Sequence, residues 1–150
     1  MGVRHARSLR SVFSMVVASA LFGMTARAHH SISAIYDDSQ RVTIEGVVAQ
    51  FQFVNPHPIV VIDVKDSSGK AQQWRLEMDN QRELADIGFT SDTLMPGERL
   101  VVIGSLARRQ AQSVYVRRLD RPSDGFSYEQ VGSSPRIRTP ASLPSTGQSR

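Results

Sequence analysis

The chain has 150 residues, with 18 basic and 14 acidic side chains and no cysteine. Without cysteine there is no thiolate nucleophile, no CxxC redox pair, no thiolate zinc site and no disulfide. The length suits one domain with extensions, and the basic excess belongs to the N-terminus rather than to a nucleic-acid-binding surface.

Arg4, Arg7 and Arg10 precede an uncharged apolar run over residues 11–23, SVFSMVVASALFG. That run is too short for a stable membrane-spanning helix, which needs roughly 20 apolar residues. With Ala26-Arg27-Ala28 behind it, the pattern reads as a secretory signal peptide over 1–28; an uncleaved anchor is the alternative. Four of the basic residues lie in this leader and none of the acidic ones does, so the remainder carries 14 of each sign. The expected location is periplasmic or secreted, with no stable membrane insertion once the leader is removed. The remaining charge is uneven, with 6 basic and 11 acidic residues over 29–105 against 8 and 3 over 106–150. An acidic body with a basic end is not the footprint of a nucleic-acid binder.

Residues 29–40 read as an extended polar lead, opening with His29 and His30. A long strand follows over 41–53. Val42 and Ile44 alternate with polar neighbours, then the apolar set changes parity to Val47, Ala49, Phe51 and Phe53, which predicts a bulge or bend at Gly46. Asn55-Pro56-His57-Pro58 breaks the run, and 59–64 resume it as a second strand. Asp66-Ser67-Ser68-Gly69 is a turn cluster, making strands two and three a hairpin. In strand three Trp74 and Leu76 share one face, while Gln73, Arg75 and Glu77 share the other.

A short helix follows, capped by Asn80 with Glu83 three residues on, carrying Leu84 and Ile87 on its apolar side and stopped by Gly88. Met95-Pro96-Gly97-Glu98 suits a type II turn. Residues 100–103 make a fourth strand and 114–119 a fifth, with Val114 and Val116 inward. Residues 121–150, rich in proline and serine, read as a disordered tail. The order β-β-β-α-β-β is that of an all-β, OB-fold-like five-stranded barrel with one short helix, over 41–120. A β-sandwich fragment or another small meander is the alternative.

The series AHHS, VTIEGVV, NPHP, W-x-L-E and L-x-x-x-G-F-T-x-x-T-L-x-P-G-E resembles an exported bacterial family, domain of unknown function family 6152. The resemblance runs from about Ala28 to Gly104. It departs mildly at Phe89, where members often have Trp, and at Glu98, where they often have Asp. It implies export and a fold, but no reaction.

Candidate chemistry therefore comes from the residues. Cleavage after Ala28 gives His29 both an imidazole and an α-amine of pKa about 8. These two nitrogens can chelate one ion, and a third from His57 or His30 completes a T-shaped set suited to copper. The arrangement resembles the histidine brace of exported copper proteins. Cleavage after Ala26 instead puts His29 third from a free terminus, another copper-binding pattern.

Prolines on both sides of His57 fix the backbone and present the imidazole on a rigid corner, one of the ligand loops of OB-type barrels. The structural alternative is that His57 bonds a nearby carbonyl to cap the turn. Glu77, on the outward face, is an oxygen-ligand candidate or a partner for Arg75. Asn55 and Arg75 are candidate ligand contacts, and Asp37 and Asp38 are oxygen donors that ordinarily stay solvated.

Trp74, Phe51, Phe53 and Tyr115 could stack bases or sugars, although core packing is the better reading. Arg108, Arg109, Arg117, Arg118 and Arg121 gather about the last strand, where charge ordinarily protects a sheet edge. No GxSxG elbow, phosphate loop or HExxH helix is present, so no catalytic residue and no enzyme is expected. The expected function is an exported binding module holding copper through His29, His30, His57 and Glu77. The alternative is a metal-free envelope barrel with a protein partner.

Overall fold

A computed structural model describes residues 31–132 and 134–139. Among the described residues, those from Ile35 onward form one compact unit. Residues 1–28, expected as a signal peptide, and His29 and His30 lie outside the described residues. Of the expected extended lead, residues 31–35 form a short helix, α1 (Ser31–Ile35), and strand β1 begins at Tyr36 (Tyr36–Gln52).

The remaining elements follow the expected order. They are β2 (Ile59–Lys65), β3 (Ala71–Glu77), helix α2 (Gln81–Asp86), β4 (Arg99–Ala107) and β5 (Ser113–Arg121), and then two further strands, β6 (Phe126–Val131) and β7 (Ser134–Arg138). Strand β1 pairs antiparallel with β2 on one side and β4 on the other; β2 pairs with β3 and β4 with β5. Residues 75–77 of β3 run parallel to 113–115 of β5, which closes the five strands into a ring. This is the connectivity of the expected OB-type order.

Local chemistry explains the joints. Asp66 accepts from the Ser68 amide and hydroxyl and from the Lys70 amide, and Gly69 takes the positive φ that the β2–β3 turn demands. The Asn80 side chain caps α2 through the Arg82 amide at 2.9 Å, and Leu84 is the helix's buried residue. Glu98 N bonds Met95 O across the turn before β4, with Gly97 at φ +92, as a type II turn requires. Leu76, Val114 and Val116 fill the inside with residues of every other strand, and Trp74, Phe51 and Phe53 pack against that core. The aromatic side chains therefore serve packing.

Three expectations change. The parity of β1 turns not at Gly46 but about Ala49, three residues further on. Ile44, Gly46 and Val48 all face inward, and the register with β2 slips between Val48 and Gln50. Gly46 is needed for clearance. A Cβ there would stand 2.8 Å from Asp63 O and 3.0 Å from both Ile62 Cδ1 and Val64 Cγ2.

Strand β4 continues through Gly104 and Ser105, which resemble a break in sequence. Gly104 lets Val114 come within 2.7 Å of where its Cβ would be, and the Ser105 hydroxyl is fully buried in a polar contact with Asp38.

The segment 121–150, expected as a disordered tail, carries β6 and β7 as an antiparallel hairpin over 126–138. Phe126 and Tyr128 alternate with Ser127 and Glu129, turn inward, and meet Phe89 edge-on at 5.7 Å each. Two aromatic side chains outweigh the polar composition around them, since each buries 150–250 Å². Strand β5 accommodates the addition by changing partner along one edge, with 113–115 on β3 and 118–121 on β6.

Candidate functional site

The 55–58 corner is stitched to the stretch that leads out of β3. Met78 N donates to Pro58 O at 2.9 Å, and Gln81 N donates to Pro56 O at 2.9 Å. The His57 Nδ1 lies 3.1 Å from the Met78 carbonyl oxygen. A carbonyl only accepts, so Nδ1 is the donor in this contact. His57 thus makes the structural contact weighed as its alternative role. A ring N–H bonded to a backbone carbonyl is also the arrangement that orients histidine ligands in metal sites.

Glu77 is engaged. The Tyr36 hydroxyl donates to its Oε2 at 2.8 Å and Arg75 Nη1 donates to the same oxygen at 2.9 Å. With a side chain 14% exposed, this carboxylate is a half-sheltered acceptor rather than an open ligand. Arg75, expected as a ligand contact, is its ion-pair partner. Asn55 is exposed at the corner. Among the described residues, no three His, Asp, Glu or Cys side chains come close enough to hold a metal ion.

Around Glu77 lies a polar cluster that the sequence does not announce. Tyr36, 2% exposed, stacks at a tilt 5.7 Å from Tyr115, and Arg117 covers the Tyr115 ring at 4.8 Å. Burial, reinforced by the Glu77 carboxylate, pushes the Tyr36 hydroxyl up to about 12. Burial and then the Asp79 charge raise Tyr115 as well, and Tyr128 is raised chiefly by burial. The Ser113 hydroxyl is fully buried against Tyr36 and lacks a partner of good geometry. Tyr36 lies 41 positions from Glu77 and 79 from Tyr115, and no local motif signals these contacts.

Asp37 and Asp38 are bonded rather than merely solvated. Asp37 accepts from the Ser39 hydroxyl and amide and pairs with Arg108 at 3.0 Å. Asp38 accepts from Ser105 at 2.8 Å and pairs with Arg117 at 3.1 Å. Hydrogen bonds from Ser39 hold the Asp37 carboxyl low, and the Ser105 hydroxyl does the same for Asp38.

The arginines do not guard an edge, because β5 is paired on both sides. Arg118 pairs with Asp120, and Arg121 pairs with Glu98 and Asp124.

The model of a family of unknown function, DUF6152, matches residues 16–114. The chain belongs to that family. No curated protein and no solved structure matches it. The matched span holds Tyr36, His57 and Glu77 and ends at the second residue of β5, so the β6–β7 hairpin lies beyond it. No helix among the described residues is long and apolar enough to cross a membrane.

Proposed function

We propose that this member of DUF6152 is an exported, non-enzymatic binding module that holds a transition-metal ion, copper, through His29 with His57 and His30. The observation that carries the reading is the His57 contact with the Met78 carbonyl. It sets Nδ1 as a donor and prepays the ordering of the ring. The leader pattern supports export, and the chain end that it would leave supplies an amine and two imidazoles.

The test uses protein exported by its own leader. Intact mass locates the new terminus, and copper titration gives the affinity. The expected result is a dissociation constant tighter than about 1 μM, lost in His57→Ala. Weaker binding, or binding indifferent to that substitution, rejects the reading.

A second reading is a metal-free envelope barrel that binds a protein partner. It is favoured by the occupied carboxylate of Glu77, which removes the oxygen ligand from the set. One stoichiometric partner recovered from envelope extract, with no copper in the eluate, would establish it.

A further inference from the structure

We propose that Tyr36 and Tyr115 form a site of oxidative cross-linking, where a one-electron oxidant joins the two rings as dityrosine and so staples β1 to β5. None of the proposed copper ligands takes part. Tyr36 and Tyr115 are 2% and 3% exposed, and their ring centroids lie 5.7 Å apart at a tilt of 46°. The two rings of a biaryl are themselves twisted, so the tilt suits the bond. Tyr128, the last of the three tyrosines, meets Phe89 edge-on instead and donates to Gln130.

Oxidation of a buried phenol needs a place for its proton, because the cation radical left by electron loss alone is costly in apolar surroundings. Both rings have one. The Tyr36 hydroxyl donates to Glu77 Oε2 at 2.8 Å, and Arg75 Nη1 holds that oxygen in place at 2.9 Å. Asp79 stands beside the Tyr115 hydroxyl and, after burial, is the largest influence that raises it. Arg117 covers the Tyr115 ring at 4.8 Å with its side chain 22% exposed, so one layer of side chain separates the pair from solvent. A cation over Tyr115 opposes electron loss from that ring, which makes Tyr36 the first to react.

Two one-electron oxidations complete the step. Each phenol gives one electron to the oxidant and its hydroxyl proton to the neighbouring carboxylate, Tyr36 to Glu77 and Tyr115 to Asp79. The two phenoxyl radicals pair their spins in one bond between ortho carbons. The hydrogens on those carbons leave as protons and the phenolic oxygens take up two in return, which restores both aromatic rings. The carboxylates release their protons to water. In sum, two tyrosines give one dityrosine, two protons and two electrons, and the electrons reduce two equivalents of oxidant.

The bond would close a loop of the chain 79 positions long, from β1 to β5, across the three-residue pairing of β3 with β5. Cross-links that close long loops stabilise by restricting the unfolded chain. In a chain without cysteine no disulfide can do this.

The test uses the full chain at a dilution that keeps it monomeric, illuminated with ruthenium tris-bipyridyl and persulfate as the source of one-electron oxidant. The expected product is a monomer lighter by two hydrogens, with dityrosine fluorescence and a digest in which Tyr36 is joined to Tyr115. Tyr36→Phe and Tyr115→Phe should each abolish the link, Tyr128→Phe should keep it, and urea should remove it from wild type. The linked protein should melt at a higher temperature than the unlinked one. Tyrosines hydroxylated but unlinked, a link through Tyr128, or an equal yield in urea overturns the proposal. A Tyr36–Tyr115 link that leaves the melting temperature unchanged overturns the stapling role. Should a variant fail to fold, the peptide map of the wild type decides alone.

Discussion

At the scale of single residues, the molecule depends on contacts that leave no tolerance. Gly46 is the sharpest instance, because three atoms of β2 stand within 3.0 Å of the missing Cβ, one of them a backbone oxygen. Gly46→Ala is expected to cost about 1–3 kcal/mol through overpacking, read as a lower urea midpoint at unchanged slope. A midpoint equal to wild type would show that β1 and β2 can separate without loss.

Sequence points to a special role for this glycine but places the change of parity about three residues too early, since Val47 reads as an inward apolar residue and is instead exposed while Val48 is buried. His57 was legible as a fixed corner from its flanking prolines alone. Its carbonyl partner was not, because Met78 is 21 positions away and meets it only when the corner folds against the exit of β3. Glu77 was legible as outward-facing. That a tyrosine from the supposed lead would occupy it was invisible in the lead's polar composition.

At the scale of elements, the expected order of five strands and a helix is present, and the hairpin appended to them is the addition. Its aromatic side chains make it part of the core. Phe126 is 4% exposed and packs edge-on against Phe89. Phe126→Ala should therefore destabilise the whole unit by about 3–5 kcal/mol, measured by denaturant unfolding followed at Trp74. Unchanged stability would mean that the hairpin is a decoration.

Composition hid these strands. Over a window of proline and serine, two aromatic residues at i, i+2 contribute little to an average, yet both are buried, at 4% and 0% exposure. Helix α2 was legible for the opposite reason. Its cap, its buried leucine and its terminating glycine are all local, and local signals survive translation into structure intact.

At the scale of the whole molecule, ionisation sets the limits of stability. The Tyr36 hydroxyl, ordinarily near 10, stands at about 12 in the folded chain. An acid whose folded value is raised holds its proton in the native state after the unfolded chain has lost its own. Stability is then complete below pH 10 and falls as pH rises from about 10 through 12. Tyr115 and Tyr128 are shifted the same way.

The carboxyls of Asp37, Asp38, Asp66 and Asp124 are shifted down, so their contribution is present above about pH 4 and is lost as acid protonates them. Thermal midpoints across pH should thus form a plateau with losses at both ends, and Tyr36→Phe should flatten the alkaline limb. An alkaline limb as steep as wild type would show that Tyr36 does not govern it.

The ring of five strands is fastened by its shortest pairing, three residues of β3 beside three of β5. Tyr36 bridges that join from outside, bonded to β3 through Glu77 and stacked on β5 through Tyr115. The closure behaves as a clasp, and one of its rivets belongs to the first strand of the ring. Tyr36 is synthesised well before Ser113, so the nascent chain already carries this fastener when the last strand of the ring emerges.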